Sequence, residues 1–286
     1  MKRTRASTTA QGIAFARALE ASKPVSDRVC DDPFARQFIS PLFYLLCKLF
    51  AGYGERVGPG VLGFLVARCR YVDDYLQACL KVGIQQLVIL GAGLDSRAYR
   101  FEALKERVKV FEVDHPATQQ VKRDKLKRLF GELPSYVTFV PIDFDEETLQ
   151  KLFEFDYSDQ PKTLFIWEGV VCYLQASAVD QTLEFVRKNS SAGSSIIFDY
   201  VYTSALIASR KRGEIARVQR AARYTGERLV FGIEEGAVEE FLQKRGYCEI
   251  VNVTSRDLER AYFIGANQGR TVAPIYAIVH ATVGDR

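Results

Sequence analysis

Short continuous apolar runs that alternate with helix-like stretches constrain the fold of this chain more than any other feature. The first run, Leu87–Leu90 (LVIL), ends in Gly91 and is typical of a strand buried on both faces of a sheet. Similar runs follow at Val108–Val113, Tyr136–Ile142, Thr163–Trp167 and Ser195–Tyr200. Helical patterns separate these runs, so the alternation predicts an α/β fold: a doubly wound, mostly parallel sheet with helices on both faces.

The two ends of the chain complete this prediction. Residues 1–82 form an N-terminal helical segment, with helices expected at Ala10–Glu20, Asp32–Phe50 and Pro59–Leu80. Near the other end, Tyr247–Thr254 and Ala273–Val283 predict two further strands that pair as an antiparallel edge, which makes seven strands in all. Residues 203–231 are basic and predict a helical cap insertion within a single domain that spans residues 1–286.

Composition excludes several classes of site. The six cysteines contain no C-x-x-C pair and there are only two histidines, so no metal site is predicted. The net charge of +4 is too small to indicate a nucleic-acid partner. Because no apolar segment is long enough to cross a bilayer, we expect a cytoplasmic protein without a membrane partner.

The turn after the first strand has the pattern G-x-G-x-x-S, starting at Gly91 and Gly93. Glycines at this place let the backbone turn tightly and approach a ligand closely. Asp114 ends the second predicted strand, 23 positions after Gly91, which is close to the spacing of an acid that binds ribose hydroxyls. The alternative is an acidic cap on the helix that starts near Pro116; the strand context favours ribose binding.

Polar side chains also follow the third and fourth strands. Asp143 and Phe144 can bind an adenine amino group and pack on its ring, although taken alone they fit a simple loop better. Glu168 ends the fourth strand, where a buried carboxylate is costly unless it is paired.

Arg68 is a second charged residue at a position where an apolar one is expected. It lies in an apolar stripe of the third predicted helix, which is formed by Val61, Leu65, Arg68, Val72, Tyr75 and Cys79. A buried guanidinium needs an anion. Arg68 and Glu168 together suggest a site for a zwitterion, with one charge for an ammonium and one for a carboxylate. The alternative is that they pair with each other, or with Asp73 and Asp74, and the pattern does not decide between the two.

Several longer stretches carry a resemblance to a known family. They are TTAQGIAFARALE, CDDPFA, ARCRYVDDYL, VILGAGLDSRAYRF, VFEVDHPATQQVKRDKL, FVPIDF, WEGVVCYL and LVFGIEEGAVEEFLQKRGY. In these stretches the chain resembles the leucine carboxyl methyltransferase-like family of S-adenosylmethionine-dependent O-methyltransferases, and within it the bacterial small-molecule and polyketide branch. LGAGLDSR and the EG-x-x-x-YL stretch are the most specific.

The resemblance implies a role for each of these positions. The cofactor is S-adenosyl-L-methionine; Arg68 would hold its carboxylate and Glu168 would face its methionine end. Asp114 would bind the ribose hydroxyls, and Asp143 with Phe144 would hold the adenine, although the family usually has leucine at position 144. The glycine turn, Gly91 and Gly93, would border the methionine portion.

The predicted reaction is methylation of a carboxylate or hydroxyl of a small molecule, which can be an anionic one. A carboxylate is ionised at neutral pH and needs no general base, and no catalytic residue is predicted. Tyr173, Tyr200 and Tyr202 are the predicted substrate-binding residues. Two rival functions are a nicotinamide-dependent oxidoreductase, which shares the G-x-G turn, and a non-catalytic protein that binds S-adenosylmethionine for regulation.

Overall fold

The computed structural model describes residues 8–144, 146–207 and 229–284. Within them lies a sheet of seven strands in the order β3-β2-β1-β4-β5-β7-β6. The first five strands are mutually parallel where they pair, and β7 runs antiparallel to both β5 and β6. The predicted fold class, a doubly wound and mostly parallel seven-stranded sheet, is therefore confirmed.

The strands are short and those at the centre are buried on both faces. Their bounds are β1 Gln86–Leu90, β2 Lys109–Asp114, β3 Val137–Pro141, β4 Thr163–Trp167, β5 Ser195–Val201, β6 Tyr247–Thr254 and β7 Tyr276–Val283. Every residue of β1, β4 and β5 is buried, which is why these segments read as continuous apolar runs instead of alternating ones.

Helices cover both faces of the sheet. In chain order they are α1 Thr8–Ala21, α2 Pro41–Val57, α3 Val61–Lys81, α4 Arg97–Arg100, α5 Glu102–Arg107, α6 Pro116–Phe130, α7 Ala176–Lys188, α8 Thr203–Ile207, α9 Val238–Gln243 and α10 Ser255–Tyr262. Single 3-10 turns occur at Val25–Asp27, Leu149–Phe155, Val171–Tyr173 and Gly265–Asn267.

The predicted starts of two elements were wrong, and the second helix also ends later than expected, at Val57 and not at Phe50. The helix expected at Asp32–Phe50 begins only at Pro41, because the Asp32 side chain accepts the main-chain N–H groups of Phe34 and Ala35 and closes a turn there. The last strand begins at Tyr276 and not at Ala273, since Pro274 lacks the N–H that a ladder requires.

The predicted cap at residues 203–231 is described only at its edges. Thr203–Ile207 is a short helix, and Val230 and Phe231 donate main-chain hydrogen bonds to the Cys172 carbonyl. Residues 208–228 lie outside the described residues, and the cap stays a prediction.

The strands divide their side chains between two cores, one on each face of the sheet. Along β5, Ile197 packs into the core that contains α3, whereas Phe198 packs into the core that contains α7. Because successive side chains of a strand point to opposite faces, the neighbours Asp199 and Tyr200 are also sent to opposite layers. This division decides which polar residues reach the functional site.

The described residues contain neither a membrane-spanning helix nor a cluster of metal-binding side chains. Helices in these ranges are all too short or too polar to span a bilayer. Groups of three or more His, Cys, Asp or Glu side chains in an arrangement that holds a metal ion are also absent from the described ranges.

His280, on β7, is a half-buried base whose environment affects its protonation. Its ring lies 4.2 Å from the ring of Tyr75 and 6.2 Å from that of Tyr71, both on α3. Burial lowers the pKa of His280 from 6.5 to about 4. The folded protein therefore keeps His280 neutral at a pH at which the unfolded chain has already bound a proton.

We expect His280→Phe to reduce the loss of stability in acid. In the wild type, stability falls as the pH drops from about 6.5 towards 4, because protonation of His280 favours the unfolded state. Phenylalanine keeps the ring contact with Tyr75 and cannot titrate. Thermal melts at several pH values across this window test the prediction; equal acid-induced losses of Tm in both proteins would contradict it.

Candidate functional site

A cavity of about 210 Å³ lies at the carboxyl ends of β1 to β4, where the direction of strand order reverses. Ligands of open α/β sheets bind at this kind of switch point. The residues that line the cavity come from α1 and from the loops after the four strands: Thr9, Ala10, Ile13, Arg17, Ile89, Leu90, Gly91, Ala92, Gly93, Leu94, Asp95, Asp114, His115, Thr118, Asp143, Phe144, Glu168, Gly169, Val170, Tyr173 and Leu174.

Both glycines of the predicted turn are required by the backbone. Gly91 and Gly93 have φ angles of 65° and 46°, in the left-handed region that side chains disfavour. A Cβ atom at Gly91 would also collide with the side chain of Val170, and one at Gly93 would lie 3.2 Å from the Cβ of Ala10. The turn therefore brings the backbone to the cavity wall with no side chain in between.

Asp114 ties the ends of β1 and β2 together. One carboxylate oxygen accepts a short hydrogen bond from the Gly93 N–H, and the other accepts the His115 N–H at 2.6 Å. Burial raises the pKa of Asp114, and these two N–H groups oppose that shift. The N-cap of α6 is His115, whose Nδ1 accepts the Ala117 N–H, so Asp114 itself is not the cap.

Asp143 and Phe144 border the cavity beyond the end of β3. The Nε2 atom of His115 lies 3.4 Å from a carboxylate oxygen of Asp143. Because the Nδ1 atom of His115 already accepts a hydrogen bond, a neutral imidazole carries its proton on Nε2 and directs it to Asp143. The main-chain N–H of Asp143 donates a hydrogen bond to the Glu147 carboxylate.

Arg68 joins the ends of two neighbouring strands. It is 3 % exposed, as its place in the apolar stripe of α3 predicts. Its Nε donates to Glu168 at 3.0 Å, and its Nη1 donates to Asp199 at 2.6 Å. Asp199 in turn accepts the Gly169 N–H at 2.6 Å. Of the two alternatives drawn from the sequence, pairing of Arg68 with Glu168 is therefore present.

One nitrogen of Arg68 remains without a partner. Its Nη2 atom is buried and makes no hydrogen bond in the described structure. A Cβ atom added at Gly169, whose φ is 71°, would lie 3.4 Å from this nitrogen. Arg68 itself does not line the cavity, whereas its neighbour Gly169 does. An unpaired buried donor is costly until an acceptor reaches it.

A second arginine was missed by the sequence analysis. Arg97 is fully buried; its Nη1 donates to Glu168 at 2.6 Å and its Nε donates to Asp73 at 2.7 Å. It also pairs with Asp95, and Asp73 binds Arg100 as well. The sequence signal for Arg97 was its place in the specific stretch LGAGLDSR. Asp199 was missed as well, and its signal was a carboxylate in a strand that is mostly apolar.

The predicted pairing of Arg68 with Asp73 or Asp74 is not observed. Asp73 pairs with Arg97 and Arg100, and Asp74 pairs on the surface with Arg70. The connected buried network consequently has three arginines and four carboxylates: Arg68, Arg97, Arg100, Asp73, Asp95, Glu168 and Asp199. It has one more negative than positive charge, which favours a cationic ligand group.

The arginines keep Glu168 ionised. Burial acts to raise the pKa of Glu168, but the facing guanidinium groups of Arg97 and Arg68 outweigh it and hold that pKa below its usual value. The side chain of Glu168 is 7 % exposed and lines the cavity. A cation that enters this end of the cavity therefore meets a carboxylate that is already charged.

The three predicted substrate-binding tyrosines do not lie together. Tyr173 lines the cavity. Tyr200 and Tyr202 pack in the core on the other face of the sheet and do not line it; the Tyr200 hydroxyl donates to Asn252 at 3.0 Å. Burial raises the pKa of both phenols, which disfavours either as a base at neutral pH. The alternation of β5 is the reason: it directs Asp199 to the site and Tyr200 away from it.

The chain matches one protein family and is similar in sequence to several known proteins. The family profile described as leucine carboxyl methyltransferase matches residues 10–187. YktD of Bacillus subtilis, named as a candidate S-adenosyl-L-methionine-dependent methyltransferase, is 29 % identical over 217 residues, which are 76 % of this chain and 71 % of that protein. A Mycobacteroides abscessus protein with the same description is 30 % identical over 71 % of this chain and 69 % of its own length.

Solved structures agree with the observed fold. A candidate methyltransferase from Thermobifida fusca superimposes with a TM-score of 0.62 at 12 % identity, and the match covers 99 % of this chain and 97 % of that one. The CurJ carbon methyltransferase matches with a TM-score of 0.51 at 13 % identity, over 97 % of this chain and 67 % of its own. At such identities the likeness is one of fold.

We expect Arg68→Leu to destabilise the protein strongly. The substitution leaves Glu168 and Asp199 without their shared cation, and removal of one partner from a buried ion pair costs about 3–5 kcal/mol. Arg70→Leu, two residues further along α3, is the matched control: its pair with Asp74 is 46 % and 40 % exposed, and we expect a loss of less than about 1 kcal/mol. Urea denaturation gives both values, and similar losses in the two variants would contradict the prediction.

Proposed function

The chain belongs to the leucine carboxyl methyltransferase family, and from that premise we propose that it methylates an oxygen atom of a small molecule. It is an S-adenosylmethionine-dependent methyltransferase, with S-adenosyl-L-methionine as its cofactor. The finer proposal concerns the acceptor atom and the residues that bind cofactor and substrate. The observation that supports it most is the buried, unpaired Nη2 of Arg68 beside an ionised Glu168.

The methionine end of the cofactor fits this corner of the cavity. The cofactor's carboxylate would accept a hydrogen bond from the Nη2 atom of Arg68, next to the cavity-lining Gly169. Its ammonium would face Glu168, and the excess negative charge of the network suits a ligand that also bears a sulfonium. A bound carboxylate removes the cost of the unpaired donor, so binding and stability are coupled here.

The nucleoside end fits the loops after β2 and β3. Asp114 still has free lone pairs on its carboxylate, and these would accept the ribose hydroxyls. Asp143, oriented by His115, would accept the adenine amino group, and Phe144 would pack on the ring. The φ angles and close neighbours of Gly91 and Gly93 require glycine at both positions. Without side chains there, the cofactor would lie directly on the backbone.

An oxygen acceptor that is already ionised fits the chemistry of the cavity best. The cofactor supplies a sulfonium methyl that is activated without further help. Among the residues that line the cavity, His115 lies at the Asp143 end, and the carboxylates at the Arg68 end are engaged with cations. The protein would then hold the acceptor in line and exclude water, without taking its proton.

We propose a carboxylate or hydroxyl as the acceptor, with Tyr173 as a substrate contact in the cavity wall. Tyr200 and Tyr202 do not line this cavity, and a substrate contact for them stays a prediction from the sequence. Family membership argues against both rivals, the oxidoreductase and the non-catalytic binding protein. A cytoplasmic location stays a prediction from the sequence.

We expect Asp114→Ala to weaken S-adenosylmethionine binding at least tenfold. A charge-assisted hydrogen bond is worth about 1.5–3 kcal/mol, and the substitution would remove those to the ribose. Asp124→Ala is the matched control, since Asp124 lies on the exposed side of α6 and contacts Gln120. Calorimetric titration measures both affinities. If Asp114→Ala binds as tightly as the control, Asp114 only fastens the Gly93 turn.

The acceptor atom is tested with methyl-labelled cofactor and a panel of small carboxylic acids, phenols, alcohols, amines and thiols. We expect label on oxygen, as an alkali-labile ester or as an ether, and no binding of NAD in the same titration. For a carboxylate, kcat/KM should stay flat between about pH 6 and 8, since the acceptor is ionised throughout. Label on nitrogen, sulfur or carbon would overturn the O-methyl proposal and leave the methyltransferase assignment intact.

A further inference from the structure

The helix α2, Pro41–Val57, presents an apolar face to solvent. None of its side chains that the structure describes is buried, although the helix has 17 residues. Six large apolar side chains are between 47 % and 71 % exposed: Leu42, Leu45, Leu46, Leu49, Phe50 and Tyr53. They recur at steps of three, one, three, one and three, so they share one side of the helix over more than three turns.

The opposite side of α2 holds the helix on the protein. The ring of Tyr44 lies 5.8 Å from that of Phe15 on α1, and the guanidinium of Arg36 lies 4.4 Å above it. Lys48 is on the same side, 5.9 Å from the Tyr44 ring. The exposed face is therefore not the one that attaches α2 to the rest of the chain.

An exposed glycine borders this face. A Cβ atom at Gly52 would meet nothing within 4 Å, so the described structure gives no packing reason for glycine in the middle of the helix. Glycine at such a place costs stability relative to alanine. A position without a side chain would let a second helix approach closely.

We propose that α2 pairs with α2 of a second copy of this chain across a two-fold axis and forms a homodimer. The six side chains expose roughly 600 Å² per copy, so pairing would bury roughly 1,200 Å² in total, the lower limit of a specific interface. Since this face carries no charge between Leu42 and Tyr53, two identical faces meet without like-charge repulsion.

The charge distribution favours a second copy over a lipid surface. A helix that lies in a membrane interface carries lysine and arginine on its polar side, next to the headgroups. The helix has only two cationic side chains, Lys48 and Arg56, against Glu55, and neither lies between Leu42 and Tyr53 on the apolar face. These charges would add little attraction to anionic lipid.

The test is the mass of the purified full chain at micromolar concentrations, by sedimentation equilibrium. We expect twice the chain mass of 32.3 kDa for the wild type. Leu49→Glu should raise the dimer dissociation constant roughly a hundredfold or more, because two like charges would meet in an apolar contact. Ile264→Glu is the matched control: Ile264 is 65 % exposed, comparable with Leu49 at 71 %, belongs to the loop after α10 and not to the α2 face, and should leave the dimer intact.

A charge swap separates loss of contact from loss of structure. Leu49→Lys alone should also be monomeric, but a mixture of Leu49→Glu and Leu49→Lys chains should form a mixed dimer, since opposite charges then meet at the axis. A monomeric wild type would overturn the proposal. A Leu49→Glu protein that remains dimeric would also overturn it. If the wild type is monomeric and binds vesicles of anionic phospholipid, the partner of this face is a lipid surface instead.

Discussion

The contact on which the site depends is the pair of hydrogen bonds from Arg68 to Glu168 and Asp199. It fastens α3 to the ends of β4 and β5, although the three residues are far apart in the chain. Two carboxylates in a buried sheet would be costly without a cation, and a buried arginine would be costly without them. Each charge is therefore tolerable only because the others are present.

This network also connects stability to function. Arg97 links Glu168 to Asp95 and to Asp73 on α3, so the two carboxylates that line the cavity, Asp95 and Glu168, are held by a connected network and not by a single ion pair. Such a network holds its groups in fixed positions before a ligand arrives. One donor of Arg68 makes no hydrogen bond, so the arrangement that holds the fold together also retains a donor that an anion could use.

Much of the fold was predictable because buried parallel strands must be apolar on both faces. In the sequence, such strands are visible as short continuous runs of apolar residues. The predicted runs match β1 to β5 to within a few residues, and the end strands pair as the antiparallel edge that was expected. The boundaries that failed, at Asp32 and Ala273, were decided by a side-chain hydrogen bond and by a proline beside the strand. Such local competition does not appear in periodicity.

The sequence by itself determined which strand ends carry polar residues: Gly91, Asp114, Asp143 and Glu168 all border one cavity because parallel strands end at the same edge. Only the tertiary structure decided which partners meet there. The ion pairs of Arg68 join residues that are 100 and 131 positions apart in the chain. They depend on how α3 packs across the sheet, which no local sequence pattern encodes. A strand also turns each successive side chain to the other face, so Tyr200 went into the core while its neighbour reached the site.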